Sequence, residues 1–349
     1  MVKIISMFNH KGGVSKTTTC FNLGWSLAQK GYRTLLVDAD PQSNLTSLSL
    51  SLPDEDSFER LYENKNSNDI FSLATSVMAN KVVEGPNSTI IPTAQANLFL
   101  LPGNLQIEGF SNQITVALKM AGGIFPETRN YPGLLSFAFK RLADIHNLDF
   151  IIIDMAPSLS GLNEVLLMGS DFFIAPCSPD FFSEIAIKNL AKIIPEWHAE
   201  IKGFASNYPL SNTPKFLGII QQKYRPRRKK DSDDRNRPAE SFQKWIDRIR
   251  KSTNSILVPQ LSTLGLAISP EKFREVIADN EAYDIAYISD FNSLVAVSQM
   301  ENKPVFELTE EDIKSMSNRF GKSMESALND VQKFKDTFSK LADNILALT

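Results

Sequence analysis

The run His10-Lys-Gly-Gly-Val-Ser-Lys-Thr-Thr18 sets two lysines, two adjacent glycines and two threonines close together. Those residue types suit a polyphosphate. Backbone N–H groups at a helix N-terminus bind phosphate oxygens when small residues let the chain come close, and Gly12 and Gly13 permit that. Lys16 would reach the outer phosphates, and the Thr17 hydroxyl would ligate Mg²⁺. An aspartate ending an apolar strand holds such a metal through water, and Asp154, after Phe150-Ile-Ile-Ile153, has that setting. The fit to the general loop G-x-x-x-x-G-K-[ST] is imperfect, because His10 and Ser15 stand where glycine is asked for. The Cβ of Ser15 narrows the backbone angles open to it. A Gly-Gly-x-x-Lys run alone is more often a simple Gly-rich turn, so the flanking elements must decide.

Those elements favour the nucleotide. Val2 to Phe8 is an apolar run, Thr17 to Lys30 has one-face helical spacing, and Gly31 is a stop signal. Thr34 to Asp38 is a second apolar run, which completes a βαβ unit. Further strands are predicted at Leu98–Pro102, Phe150–Asp154, Phe172–Pro176, Phe216–Ile220 and Asp284–Ile288. Helical patterns lie between most of them, including Tyr131 to His146 and Ser183 to Ile194. The near-continuous apolar strands point to a sheet covered on both faces. The fold class is α/β, a doubly wound, mostly parallel sheet flanked by helices, with helical additions. Ligands in such sheets sit at strand carboxyl ends, where Lys11, Lys16, Asp38, Asp40 and Asp154 all fall.

Residues 51–90 are polar with weak periodicity, and 222–280 contain a basic run and a pattern for two helices. Met324, Leu328, Val331, Phe334, Phe338, Leu341, Ile345 and Leu348 recur at helical steps, which predicts a long amphipathic C-terminal helix. Its other face mixes Glu, Asp and Lys, unlike the basic face of a membrane-surface helix.

Net charge is −3, with 42% hydrophobic and 22% charged residues, the balance of a globular protein. Residues 223–251 nevertheless hold 12 Lys/Arg against 5 Asp/Glu. Two cysteines, Cys20 and Cys177, have neither metal-type nor disulfide-framework spacing, so a reducing compartment is expected. No secretory leader or bilayer-spanning run is evident.

Lys11-Gly-Gly-Val-Ser-Lys16-Thr-Thr18 resembles the deviant Walker A box, KGGxxK[ST]T, of the ParA/MinD class of P-loop ATPases. Leu36-Val-Asp38-Ala-Asp40-Pro-Gln42 is similar to the second box of that class, and Asp154-Met-Ala-Pro157 to its Walker B region. Asn9 suits the ParA branch. The resemblance covers most of residues 1–220 and part of 282–308. It implies an ATPase domain over 1–308 with insertions near 51–90 and 222–280, then a C-terminal helical extension over 309–349 packing on the core or a dimer partner. It implies ATP held by Gly12, Gly13, Val14, Ser15, Lys16, Thr17, Thr18 and Asp38, with Mg²⁺ on Thr17 and, through water, Asp154. Lys11, Lys16 and Asp40 are the implied catalytic residues. Lys11 would reach the partner's phosphates in an ATP-sandwich homodimer, Asp40 would orient the attacking water, and Asp38 would organise the switch segment. Three departures, His10, Ser15 and Ala156, are read as changes in rate, not loss of binding. His10 is read as a loop-packing residue before a general base.

The family implies slow hydrolysis stimulated by a ParB-like partner, non-specific DNA binding and a role in plasmid or chromosome partition. Clustered Lys/Arg binds phosphate backbones without reading sequence. Arg225, Arg227, Arg228, Lys229, Lys230, Arg248 and Lys251 are the candidate DNA contacts, against the plain alternative of a solvated loop. A cytoplasmic, nucleoid-associated protein without membrane attachment is expected. Alternatives are a MinD-like positioning ATPase, an electron-transferring iron protein, or a regulatory or defence ATPase acting on a protein effector.

Overall fold

The computed structural model describes residues 1–50, 61, 68–78, 90–120, 131–202, 213–226, 238–316 and 320–349. Apolar runs build the centre. Strand β1 (Lys3–Met7) leads through the loop into helix α1 (Lys16–Gln29) and back to β2 (Thr34–Ala39), followed by the short helix α2 (Asn44–Ser49). Helix α3 (Ile70–Met78), the two-residue strand β3 (Ile91–Pro92) and β4 (Leu98–Leu101) come next. Helices α4 (Ile107–Met120) and α5 (Tyr131–His146) lead to β5 (Phe150–Met155). Helix α6 (Gly161–Met168), β6 (Phe172–Cys177), α7 (Phe181–Lys202) and β7 (Lys215–Tyr224) continue the alternation.

Eight strands form one sheet in the order β3-β4-β2-β5-β1-β6-β7-β8, where β8 is Asp284–Ser289. All neighbours are parallel except β3 and β4. Every residue of β2 and β5 is buried, as a sheet with helices on both faces requires. In register, Met7 pairs with Asp154 and Asp154 with Asp38, so three adjacent strands end side by side.

Region 222–280 is more helical than two helices. It holds α8 (Glu240–Ser252), a π-helical turn over Thr253–Leu257, α9 (Val258–Thr263) and α10 (Pro270–Val276). β7 also runs on to Tyr224, past its expected end at Ile220, because Gln221 and Gln222 are buried with partners. Gln222 Nε2 donates to the Val14 carbonyl at 2.7 Å, and its Oε1 accepts from Thr19 Oγ1 at 2.9 Å. Helix α7 likewise runs through Pro195, where an interior proline costs about 3 kcal/mol. Trp197 and Ile201 beyond it are buried, and Trp197 lies 5.4 Å from the Phe8 ring, so packing outweighs the proline. Just past β7, Pro226 and Pro238 meet in an isolated antiparallel bridge.

Helix α11 (Leu294–Glu301) and α12 (Glu310–Met316) precede α13 (Lys322–Leu348). Of the expected apolar stripe of α13, Leu328 is half-buried and the other seven are buried. Phe334 and Phe338 pack on Phe291 at 4.8 and 6.2 Å between ring centroids, and Phe338 also meets Phe306 at 5.7 Å. Lys30, just past the end of α1, pairs with Asp343 at 2.8 Å. In this chain the helix therefore covers its own α1 and β8 edge.

Candidate nucleotide site

Between β1 and α1 the chain wraps around what a phosphate would fill. Gly13 has φ 72°, open to glycine at little cost. Ser15 has φ 57° and ψ 33°, the left-handed region, directly before the first turn of α1. That explains why glycine is asked for there: the Ser15 Cβ costs roughly 1–2 kcal/mol in this conformation. The strained turn is fastened, since the Ser15 carbonyl accepts from Thr19 N at 3.0 Å and Thr19 Oγ1 at 2.9 Å. Asn9 ties the loop entrance to β6 through Nδ2 donating to the Pro176 carbonyl at 2.8 Å, while its Oδ1 accepts from Lys11 N at 3.0 Å.

Lys16 is 7% exposed, and its Nζ donates to the Asn9 carbonyl at 3.1 Å. Burial pulls its ammonium below the usual range, while the carboxylates of Asp154 and Asp40 oppose that shift. Asp154 lies at the end of β5, 1% exposed, and neither carboxylate oxygen has a well-formed hydrogen bond, although the Thr17 hydroxyl and Cys20 thiol lie near. Burial pushes its pKa up to about 6, with the Thr17 hydroxyl and Lys16 opposing. Two orphaned buried oxygens beside a threonine hydroxyl are costly as they stand, and they fit a hydrated divalent cation. Asp38 differs. Its Oδ2 accepts from Thr46 N at 2.8 Å and Thr46 Oγ1 at 2.7 Å, and its Oδ1 from Asp40 N at 3.3 Å. It anchors α2, and burial with the Asp154 charge raises its pKa to about 7.

A cleft of about 580 Å³ opens over this loop, lined by Gly12 through Thr18, Asp40, Gln42, Asn44, Ser47, Leu48, Pro157, Lys223 and Gln299. The structure thus brings Gly12, Gly13, Val14, Ser15, Lys16, Thr17, Thr18 and Asp40 to one cleft, with Asp38 and Asp154 at the ends of the strands alongside. It does not bring Lys11 there. The Lys11 ammonium is paired with Asp180 and lies 3.2 Å from Ser183 Oγ, at the junction of β6 and α7. His10 also turns away, its Nε2 3.4 Å from Asn189 Nδ2, and burial followed by the Lys16 charge lowers its pKa. That environment agrees with loop packing.

Of the candidate DNA contacts, Arg227, Arg228, Lys229 and Lys230 lie outside the described residues. Arg225 and Lys251 are exposed. Arg248 is engaged within the chain, paired with Glu184 at 2.8 Å and stacked over the Trp245 ring at 4.5 Å. A second cavity, also about 580 Å³, opens beside Tyr224, Tyr287 and Phe334. Its cations are engaged, Arg250 with Asp284 and Lys333 with Asp330, so it is poorly set for a phosphate. Cys20 and Cys177 are free and buried in different elements. Among the described residues no helix is long and apolar enough to cross a membrane.

Several residues that shape the site were not marked by sequence. Gly103 donates its N–H to Thr46 Oγ1 at 2.8 Å, and a Cβ there would sit 2.9 Å from Asp38 Cγ. Asn163 Nδ2 donates to the carbonyls of Ala156 and Ser158 at 2.9 and 2.7 Å, holding the turn after Asp154. Gln222 braces the loop from β7. None belongs to a motif of fixed spacing, and the partners of Gly103 and Gln222 are distant in sequence, so spacing carried no signal.

A parallel, doubly wound sheet with a glycine-bearing loop between β1 and α1 and an aspartate ending β5 defines a P-loop nucleotide-binding protein. Residues 2–204 match the family described as AAA domain. The chain is 33% identical to an uncharacterized protein of Methanocaldococcus jannaschii over 63% of its own length and 73% of that protein's. It is 29% identical to a ParA family protein of Chlamydia pneumoniae over 66% and 76% of the two chains. The structure superposes on the Pyrococcus furiosus cell division ATPase MinD with a TM-score of 0.52 and 18% identity, covering 100% of both chains. The chain belongs to the AAA-domain family; it is similar in sequence to ParA family proteins and shares its fold with the MinD ATPase.

Proposed function

We propose that this chain is an ATP-dependent dimerising switch that binds DNA non-specifically and acts in partition of plasmid or chromosomal DNA. The observation that carries the reading is the division of labour between two lysines on one loop. Lys16 sits buried at the cleft, while Lys11 lies outside it, held by Asp180. We take a lysine held outside its own cleft to serve the phosphates of a second copy.

The residues divide the work as follows. The loop N–H groups from Gly12 to Thr18 and the Lys16 ammonium would hold the ATP phosphates, and Thr17 with Asp154 would hold Mg²⁺. That ion supplies positive charge to the transferring phosphoryl group. Asp40 faces the cleft and would hold the attacking water. Asp38 would relay the state of the site to α2 through Thr46. Lys11, once released from Asp180, would stabilise developing charge in the partner's site, like an arginine finger in trans. Hydrolysis would be slow until a ParB-like partner completes the site. Arg225 and Lys251, with the basic run between them in sequence, would supply the phosphate-backbone contacts.

A regulatory ATPase acting on a protein effector is the second reading. It is favoured by Phe181, Phe182 and Ile185, which are 49%, 68% and 37% exposed beside Asp180. One experiment separates the two. Fluorescence anisotropy of a labelled duplex is followed with increasing protein at low salt, with and without Mg²⁺ and a non-hydrolysable ATP analogue. The partition reading expects nucleotide-dependent binding that falls steeply with salt. Nucleotide-dependent dimers that leave anisotropy flat would overturn DNA binding and leave the effector reading.

A further inference from the structure

Lys223 begins the basic run in sequence, yet the fold sends it elsewhere. The pairing of β7 with β8 shifts register between Gln222 and Tyr224, a bulge centred on Lys223. Bulges beside active sites re-aim a side chain. Here the residues on either side stay in the core, Gln222 at 0% and Tyr224 at 5% exposure, while Lys223 alone is turned outward. Its backbone has φ 63°, the left-handed region that a lysine does not favour. Strain of this kind persists where surroundings over-determine it, and it clusters at ligand sites.

The side chain lands on the phosphate-binding loop. Lys223 Nζ donates to the Gly13 carbonyl at 3.1 Å and lines the same cleft as Gly12, Ser15, Lys16 and Asp40. An ammonium has three donors, and this contact uses one. Among the described residues lining the cleft, Lys16 and Lys223 are the only cations. Lys11 is committed to Asp180.

We infer that Lys223 is a phosphate-contacting residue of the nucleotide site, a second ammonium supplied by the same chain and aimed by the β7 bulge. The inference rests on the reading of the cleft as an ATP site. Its ligand is the polyphosphate of a nucleotide, since the ammonium reaches the loop that cradles phosphates. It gives each copy two cations of its own before any partner contributes one, so nucleotide loading need not wait for dimerisation.

The test is calorimetric titration of the full chain with Mg²⁺ and the non-hydrolysable analogue AMPPNP at low and high salt. The variants are Lys223→Asn, whose side chain tolerates the left-handed backbone, and Lys223→Arg, with thermal unfolding run alongside to confirm that both fold. The Asn variant is expected to bind about tenfold more weakly at low salt. It should also show a flatter salt dependence, with the Arg variant restoring both. Asn and wild-type chains binding alike would overturn the inference. So would weaker binding with an unchanged salt dependence, which would make Lys223 a mere prop for the Gly13 carbonyl. A wild-type chain that binds no nucleotide would instead overturn the ATP-site reading itself.

Discussion

Ser15 carries the sharpest lesson at the scale of one residue. Its φ of 57° is held by two bonds to Thr19 and by Gln222 beneath the loop, through Val14. The neighbourhood, not the residue, chooses the conformation. Replacing Ser15 with glycine should therefore raise stability by about 0.5–1 kcal/mol, less than the full left-handed cost because glycine gains freedom in the unfolded chain. A higher urea midpoint at unchanged slope is the expected result, and a lower midpoint would mean the serine hydroxyl contributes more than its backbone strain costs. Lys16, the threonines and the three aspartates gather at or beside one cleft as their short motifs led one to expect, whereas Lys11 lies outside it. Gly103 and Gln222 were not legible in sequence, because their partners Thr46 and Val14 lie far along the chain, and Asn163 was not, because the turn it holds after Asp154 matches no motif of fixed spacing.

Elements were legible where one physical cause dominates. The strands around the site, β1, β2, β5 and β6, are continuous apolar runs, and burial on both faces leaves few other readings. The two-residue β3 is too short to show a pattern. Helix α3 lies within a stretch that is polar overall with weak periodicity, yet Ile70, Leu73 and Ala74 are buried. Helix α7 outruns its sequence signal at Pro195, where tertiary packing overrides a local breaker. Helix α13 is the opposite case, since its stripe of apolar residues was plain and its partner was not. In the fold Phe338 is fully buried among Phe291, Phe306 and α1. Phe338→Ala should destabilise the chain by about 3–5 kcal/mol in chemical denaturation. A loss below about 1 kcal/mol would show that α13 detaches from α1 in solution.

For the whole molecule the pair of Lys11 with Asp180 matters most. In the proposed dimer, two copies closing over two nucleotides would exchange that internal pair for contacts between chains, so the pair would oppose dimerisation while it lasts. Lys11→Ala should bind nucleotide nearly as the wild type does, while its ATP-dependent dimer weakens by about 10- to 100-fold, measured by analytical ultracentrifugation. Asp180→Ala should shift the same equilibrium toward the dimer. Normal dimers from Lys11→Ala would remove the trans role from this lysine.

Pro226 and Pro238 join across an antiparallel bridge just past β7, beside the second cavity. The bridge sets residues 226 and 238 side by side, so the distance between the two ends of that stretch is fixed whatever its length. Closing a longer or shorter detour costs little, since loop entropy grows only slowly with length. Descendants of one gene could therefore lose, lengthen or recharge the basic stretch without moving β7, Lys223 or the phosphate loop. The bridge is a splice point at which an old motor can be fitted with a new grip.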